Sequence, residues 1–403
     1  MNKSFFIGSK KTTTIIKKLN TSQLLLLAFF SFSYHSTFAQ TKSAVINMVF
    51  TSDAHYGINR AKFRGDTNVT GHKVNAAMIN QINTLPGLKL PNDGGINAAR
   101  NVGGIDFLVE GGDITNRMEP PVQSSALSWD QFKADYMQAL KLKGHNGMPV
   151  KLLMVPGNHD ISNAIGFYKP MIPMKDPSAM VNIYNLMLHP QKPLTNQTYD
   201  YHQDKINYSM NIKGIHLQFI TLWPDSAERI WMAKDLDTVA AKTPVIIFTH
   251  DQPTSESKHF TNPVPPYRIT ATLKFENLTE ERYKDSLGIA GGTSTDLEQR
   301  GWAAFLKAHA NIKAYFHGNS NWNEFYNYQG PDHDVNLPIF RVDSPMKGKY
   351  SAKDETKLSF LLISIDTDKQ TLTARECLWN TEPLNTGQKP IFGSAATISL
   401  KVN

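Results

Sequence analysis

The sequence predicts an α/β fold in which two mixed β-sheets pack together with helices outside. Three observations predict it. Eight apolar runs rich in β-branched residues have the length of strands, at 44–51, 105–110, 150–155, 215–222, 244–249, 312–316, 358–365 and 371–378. Helical patterns fall between several of them, at 74–84, 129–142, 179–188, 227–240 and 297–308, and strands that alternate with helices build α/β sheets. In the later half, Lys213-Gly214 separates the run 206–212 from 215–222, and residues 366–370 separate the last two runs. Connections that short make hairpins, so part of the structure is antiparallel. The expected single domain covers residues 40–403, with insertions at about 57–104 and 252–295 that are too long for simple connections.

The composition suits a large buried core and excludes a disordered or collagen-like chain, since 40% of the 403 residues are hydrophobic and 19% charged. The formal charge of +7 suggests an anionic partner, but it is concentrated at one end. Residues 1–39 hold five lysines and no acidic residue, which leaves +2 on the other 364. That is no basis for binding nucleic acid or a membrane surface. The same segment reads as a secretory signal. A lysine-bearing stretch runs to about Asn20, an apolar stretch follows from Leu24 to Phe32, and Ser36-Thr37-Phe38-Ala39 offers small residues before a cut after Ala39. The apolar stretch is well short of the roughly 20 residues that span a bilayer, and no later stretch approaches that length. The mature protein is therefore expected to be soluble and secreted or periplasmic. Cys377 is the only cysteine, so no intrachain disulfide forms, and its strand-like run makes it a small buried hydrophobe.

Chemistry collects where five of the runs end. Thr51-Ser52-Asp53-Ala54-His55 follows the first, and Gly111-Gly112-Asp113-Ile114-Thr115-Asn116-Arg117 the second. Pro156-Gly157-Asn158-His159-Asp160, His250-Asp251-Gln252-Pro253 and His317-Gly318-Asn319-Ser320-Asn321-Trp322 follow the others. Each alone has an ordinary explanation: Asp113 as a helix cap, Gly157-Asn158 as a turn, His250 as a structural histidine. Together they place carboxylates, imidazoles and amides at the carboxyl ends of strands, where open α/β sheets hold their sites. With no thiolate among them, the set is that of a mixed nitrogen and oxygen metal site.

This ordered set resembles the calcineurin-like metallophosphoesterase superfamily, whose pattern is DxH, GD, GNHD or GNHE, a lone His, then GHxH. Here Asp53-Ala54-His55, Gly112-Asp113, the intact Gly157-Asn158-His159-Asp160 and His250 match in order, from Ala44 to about Tyr326. The resemblance implies a four-layer sandwich of two sheets flanked by helices. It implies two divalent metal ions, with Asp53 and His55 on one, Asn158 and His250 on the other, and Asp113 bridging. It also implies that a metal-bound hydroxide attacks phosphorus while His159 assists the leaving group, and that Arg117 contacts phosphate as in the GDxxDR form. Two divalent ions activate a shared water and neutralise phosphoryl charge, and a guanidinium suits bidentate phosphate contact.

The last motif departs from the pattern. Where the superfamily has Gly-His-x-His, this chain has Gly318-Asn319-Ser320-Asn321. Three readings follow: Asn319 and Asn321 coordinate through amide oxygen, His317 substitutes for one of them, or the site is poor in metal and inactive. The preserved spacing favours the first, and oxygen donors then favour manganese, iron or magnesium over zinc. His317 is expected on the opposite side of its strand. Asn116 stands where the GDxxDR form has an Asp paired with the histidine, which leaves Asp160 or a backbone carbonyl to orient His159. Asp251 is read as a solvated loop charge, and Trp322, Phe325, Tyr326 and Tyr328 as core and rim packing.

Two functional classes remain. The first is an exported hydrolase of small or medium phosphate esters, with no nucleic-acid partner. The second is a decayed phosphate- or ligand-binding protein on the same fold.

Overall fold

Strand β1 (Val45–Thr51) shows how the layers arise. Ile46, Met48 and Phe50 point into one hydrophobic core, whereas Val49 belongs to another on the opposite face. A side-chain period of two gives a fully buried strand a partner on each face. The computed structural model describes residues 43–116, 123–162, 177–200, 203–254 and 296–402. The chain divides into Met1–Lys42 and Ser43–Asn403, and every described residue lies in the second unit. The expected signal segment, Arg117 and most of the second insertion lie outside the described residues.

In the first six-stranded sheet, β1 pairs in parallel with β4 (Phe107–Glu110), which pairs in parallel with β5 (Lys151–Met154). On its other side run β12 (Ser359–Asp366), β13 (Thr371–Leu378) and β14 (Ile391–Ser399), all antiparallel to their neighbours. The second sheet has the order β10 (Glu324–Tyr328), β11 (Leu337–Arg341), β9 (Ile312–His317), β8 (Val245–Phe248), β7 (Ile215–Phe219), β6 (Tyr208–Ile212). Its four central strands are parallel and its two edge strands antiparallel. A small hairpin, β2 (Asn59–Phe63) and β3 (Asp66–Thr70), stands apart.

The helices are α1 (Gly71–Ile82), α2 (Ser125–Phe132), α3 (Asn158–Ser162), α4 (Ser178–Leu188), α5 (Ser226–Leu236) and α6 (Asp296–Ala308). The result is the expected arrangement of two large mixed sheets flanked by helices.

The inner core carries a ring ladder across the second sheet. Tyr208, Phe219, Phe248, Phe316 and Phe340 occupy paired positions on five successive strands, with adjacent centroids 4.6–5.2 Å apart. Phe50 of β1 meets Phe248 and Phe316 edge-on, each at 5.7 Å. Aromatic pairs of this kind each add about 0.5–1.5 kcal/mol beyond their burial. The ladder lies at the carboxyl ends of β7, β8 and β9, so it fixes the strands that carry His250 and Gly318.

One helix differs from expectation, and one insertion has a structural task. The helix expected at 129–142 begins at Ser125 and becomes a π-helix over Lys133–Gln138. That wider turn accompanies two inward-facing residues: Asp135 accepts from the Tyr56 hydroxyl at 2.8 Å, and Tyr136 stacks on Phe132. The first insertion is also partly scaffold. Residues 93–104 are tied to the first sheet, where Asn47 donates to the Val102 and Gly104 carbonyls and buried Arg375 forks onto Asp93. Cys377 is buried in β13, as expected. No helix among the described residues is long and apolar enough to cross a membrane.

Candidate metal centre

The five motif segments leave the carboxyl ends of β1, β4, β5, β8 and β9. Beyond their strands the first two segments stay paired, with Asp53 N donating to Gly112 O, His55 N to Asp113 O and Tyr56 N to Ile114 O. Asp53, His55, Asp113, Asn319 and Asn321 all have left-handed backbone, with φ between 44° and 65°. That conformation is costly for side chains other than glycine, and runs of it mark sites where side chains must be re-aimed. Two glycines permit the closeness that follows. A Cβ on Gly157 would collide with Asp113 and His250, and one on Gly318 with Ser52 and Asp53.

Asp113 sits at the middle. Its Oδ2 lies 3.4 Å from His250 Nε2, 3.7 Å from His159 Nε2 and 3.8 Å from His55 Nε2. His55 Nε2 is also 3.6 Å from Asp53 Oδ1. Two sets of side chains bring their ligand atoms within 4.8 Å of one another: His55, Asp113 and His159, and Asp53, Asp113 and His250. Asp113 belongs to both.

Hydrogen-bond partners show what fits there. His250 Nδ1 lies 2.7 Å from the Gly111 carbonyl, so it must carry a proton and donate it. Neutral His250 then presents a bare lone pair at Nε2, 3.1 Å from Asn158 Oδ1 and 3.4 Å from Asp113 Oδ2. A proton on Nε2 or a bound cation satisfies both oxygens. Burial opposes charge on His250, yet Asp113 overrides it and raises the imidazole well above its usual range. Likewise burial would raise Asp113, but His250 and His159 hold it well below. Burial keeps His159 well below its usual range and, with the charge of Lys347, lowers His55 too. Asp53 Oδ1 and His55 Nε2 are buried without a hydrogen-bond partner. Buried polar atoms are rarely left so, and this donor set of carboxylates, imidazoles and an amide oxygen fits a divalent cation.

The structure thus brings together Asp53, His55, Asp113, Asn158, His159 and His250. Asp160 has another task than the one expected. Its carboxylate accepts from the backbone N–H groups of Ile114, Thr115 and Gly157, and His159 Nδ1 is buried with no hydrogen-bond partner. Asp160 therefore clamps two motif segments together and does not orient His159. His317 faces away, with its ring nitrogens on Gly318 O and the Tyr326 hydroxyl, so it does not replace an asparagine. Asp251 is fully buried and not a solvated loop charge. Asn116 lies beside His55, its amide 3.3 Å from Nδ1.

Asn319 and Asn321 lie at the rim. Asn319 N donates to Asp53 Oδ2 at 2.9 Å, and its Nδ2 to Gln252 Oε1 at 3.1 Å. Asn321 Nδ2 donates to the Asn319 carbonyl, and its Oδ1 is buried without a partner. Sequence reasoning missed the segment that covers this side. The Ser344 hydroxyl donates to Asp53 O and accepts from Lys347 N, both at 2.9 Å, which sets Lys347 close to the centre. Lys349 N donates to Asn321 O.

A family model described as calcineurin-like phosphoesterase matches residues 46–282, more than half of the chain. No curated protein matches. Similar solved structures include the calcineurin-like phosphoesterase YfkN from Bacillus subtilis, at 10% identity over 88% of this chain and 91% of that one, with a TM-score of 0.33. Phosphopantetheinyl hydrolase from Mycobacterium tuberculosis is 12% identical over 75% and 91%, with a TM-score of 0.32. Vps29 from Chaetomium thermophilum is 9% identical over 89% and 100%, with a TM-score of 0.33.

Proposed function

The chain belongs to the calcineurin-like phosphoesterase family, and from that premise we propose that it is an exported, metal-dependent hydrolase of phosphate esters. The observation that carries the proposal is the convergence of two overlapping sets of buried side chains, His55, Asp113 and His159, and Asp53, Asp113 and His250, whose ligand atoms lie within 4.8 Å of one another. Two such ions are proposed, with Asp113 common to both, because it belongs to both sets of side chains. Asp53, His55, Asn158, His250, Asn319 and Asn321 would complete their ligands. Bound divalent ions supply an activated water and neutralise charge on the phosphoryl oxygens.

The chain's own residues do the rest. Burial disfavours the charged form of His159 and the Asp113 carboxylate favours it, so the form that donates is the imidazolium, which becomes neutral on giving up its proton. We assign it the proton-donating contact to the leaving oxygen. His159 N donates to Asp113 Oδ1 at 2.8 Å, which fixes the imidazole's backbone against the shared carboxylate. Lys347 is assigned a phosphoryl oxygen, since its charge reaches both His55 and His159.

The test is hydrolysis of a panel of phosphomonoesters and diesters with Mn²⁺, Mg²⁺, Fe²⁺ and Zn²⁺ added in turn. Turnover that needs a metal and is strongest with Mn²⁺, Fe²⁺ or Mg²⁺ is expected. Tight metal and phosphate binding without turnover on any substrate would instead make the protein a binding module. Export is tested separately: the N-terminus of the mature protein should be Gln40.

A further inference from the structure

We infer that Gln252 is a positioning residue that locks the Asn319 amide with its oxygen toward the metal centre, and so sets the site's preference for oxygen-seeking ions. The inference rests on the metal reading above and adds to it the device that makes an asparagine usable where the family has histidine. A histidine presents a nitrogen lone pair from either ring atom. An asparagine side chain is two-faced: one end is a donor oxygen, the other an NH₂ that repels a cation, and the two differ by a half-turn. An unlocked amide at this position would therefore offer the wrong end part of the time.

The structure shows a lock. Gln252 Oε1 accepts from Asn319 Nδ2 at 3.1 Å and from the Ser320 hydroxyl at 2.9 Å. With its NH₂ end held on Gln252, Asn319 has only the oxygen end left for a cation. The backbone adds to this, because Asn319 N is fixed on Asp53 Oδ2 and its φ is 56°. Asn321 is locked in the same sense by other means: its NH₂ donates to the Asn319 carbonyl, and its Oδ1 is buried with no partner. Gln252 is itself held, since it is largely buried and its backbone carbonyl accepts from Trp223 Nε1 at 3.1 Å. It lies two residues after His250, so one loop supplies both a candidate ligand and the lock for another.

The test is a double-variant cycle read by metal titration and not by activity. In Q252M, similar in size but without the acceptor, Mn²⁺ affinity is expected to fall about 10-fold, the usual cost of losing an outer partner of a ligand. Zn²⁺ affinity is expected to fall less, because zinc depends less on neutral oxygen donors. In Q252E, which keeps the acceptor, the ratio of the two affinities should stay at the parent value. In an N319D background both ends of the side chain are oxygen, so the lock has nothing to choose, and adding Q252M should cost nothing more. Thermal unfolding without metal controls for folding, and if Q252M does not fold, Q252A and N319D/Q252A take its place in the cycle. Equal losses with and without N319D, or an altered affinity ratio in Q252E, overturn the inference. A parent protein that binds no divalent ion would instead overturn the metal reading itself.

Discussion

The two sheets contribute to the centre in different ways. The first brings Asp53, His55, Asp113, Asn158 and His159, all nearly or fully buried, from segments bonded to one another. Asp160 clamps two of those segments, and Asp113 holds a third contact through His159 N. The second sheet brings one buried imidazole, His250, and two amides at a half-exposed rim. Charged ligands define their own orientation through mutual attraction, whereas neutral amides need a neighbour to tell oxygen from nitrogen. Gln252 and the backbone of Asn319 fill that role. On the proposed metal reading, amides in place of imidazoles shift part of the site's specification to residues that bind nothing themselves.

The largest effect should come from breaking what both halves share. Asp113→Asn keeps shape but removes the charge at the centre of every imidazole contact. Metal affinity should fall by more than the about 100-fold that outer partners cost, and turnover should be lost with it. Titration by calorimetry checks this, and retained metal at parental affinity would mean that the halves do not meet at Asp113. Next comes chemistry confined to the first half. His159→Ala should lower kcat by about 10²–10⁴-fold with metal content unchanged. An ester with a very good leaving group should lose less, because it needs less protonation. Equal losses on both esters would remove His159 from the proton-donating role.

How much of this was legible in the sequence follows the same division. The first half could be read almost completely, because strong strands end in Asp, His and Gly within a few residues. Asp160 was misjudged because a carboxylate next to a histidine suggests an orienting partner, and only geometry shows three backbone N–H groups closer at hand. The second half was harder. β11 contains Pro338, a residue that argues against an interior strand, and β14 is an exposed edge rich in small residues. With β11 unread, the segment 343–351 after it had no assigned place, and Ser344 and Lys347 went unnoticed. Gln252 carried no signal, since its task is defined only across 67 residues of sequence.

That late segment also carries a pH-sensitive carboxyl. Burial lifts the Asp343 carboxyl from 3.8 to about 8. Between about pH 4 and pH 8 the folded chain keeps a proton that the unfolded chain releases, so Asp343 lowers stability as pH rises through that window. Asp343→Asn mimics the protonated acid. It should be more stable than the parent by roughly 5 kcal/mol near pH 8, with the gap closing near pH 4. Denaturant unfolding at the two values measures it, and a gap independent of pH would refute the assignment. Lys347→Met should lower kcat/KM for a phosphomonoester about 10-fold, the weight of one charge-assisted hydrogen bond. A diester, with one charge fewer, should lose less, and equal losses would place Lys347 outside the phosphoryl contacts.

The finest test turns one half into the other. Restoring imidazoles with N319H and N321H should raise affinity for Zn²⁺ relative to Mn²⁺, by about 10-fold in the ratio, because nitrogen donors suit zinc better than neutral oxygens do. The sequence spacing and the left-handed backbone at both positions are already in place, and Asn319 N already donates to Asp53 Oδ2. The same substitutions should also make Gln252 dispensable, since an imidazole lone pair needs no amide lock. Competition titration of the two metals, in the double variant with and without Q252M, reads both effects. If the ratio does not move, the two side chains do not reach the ions, and the centre rests on Asp53, His55, Asp113, Asn158 and His250 alone.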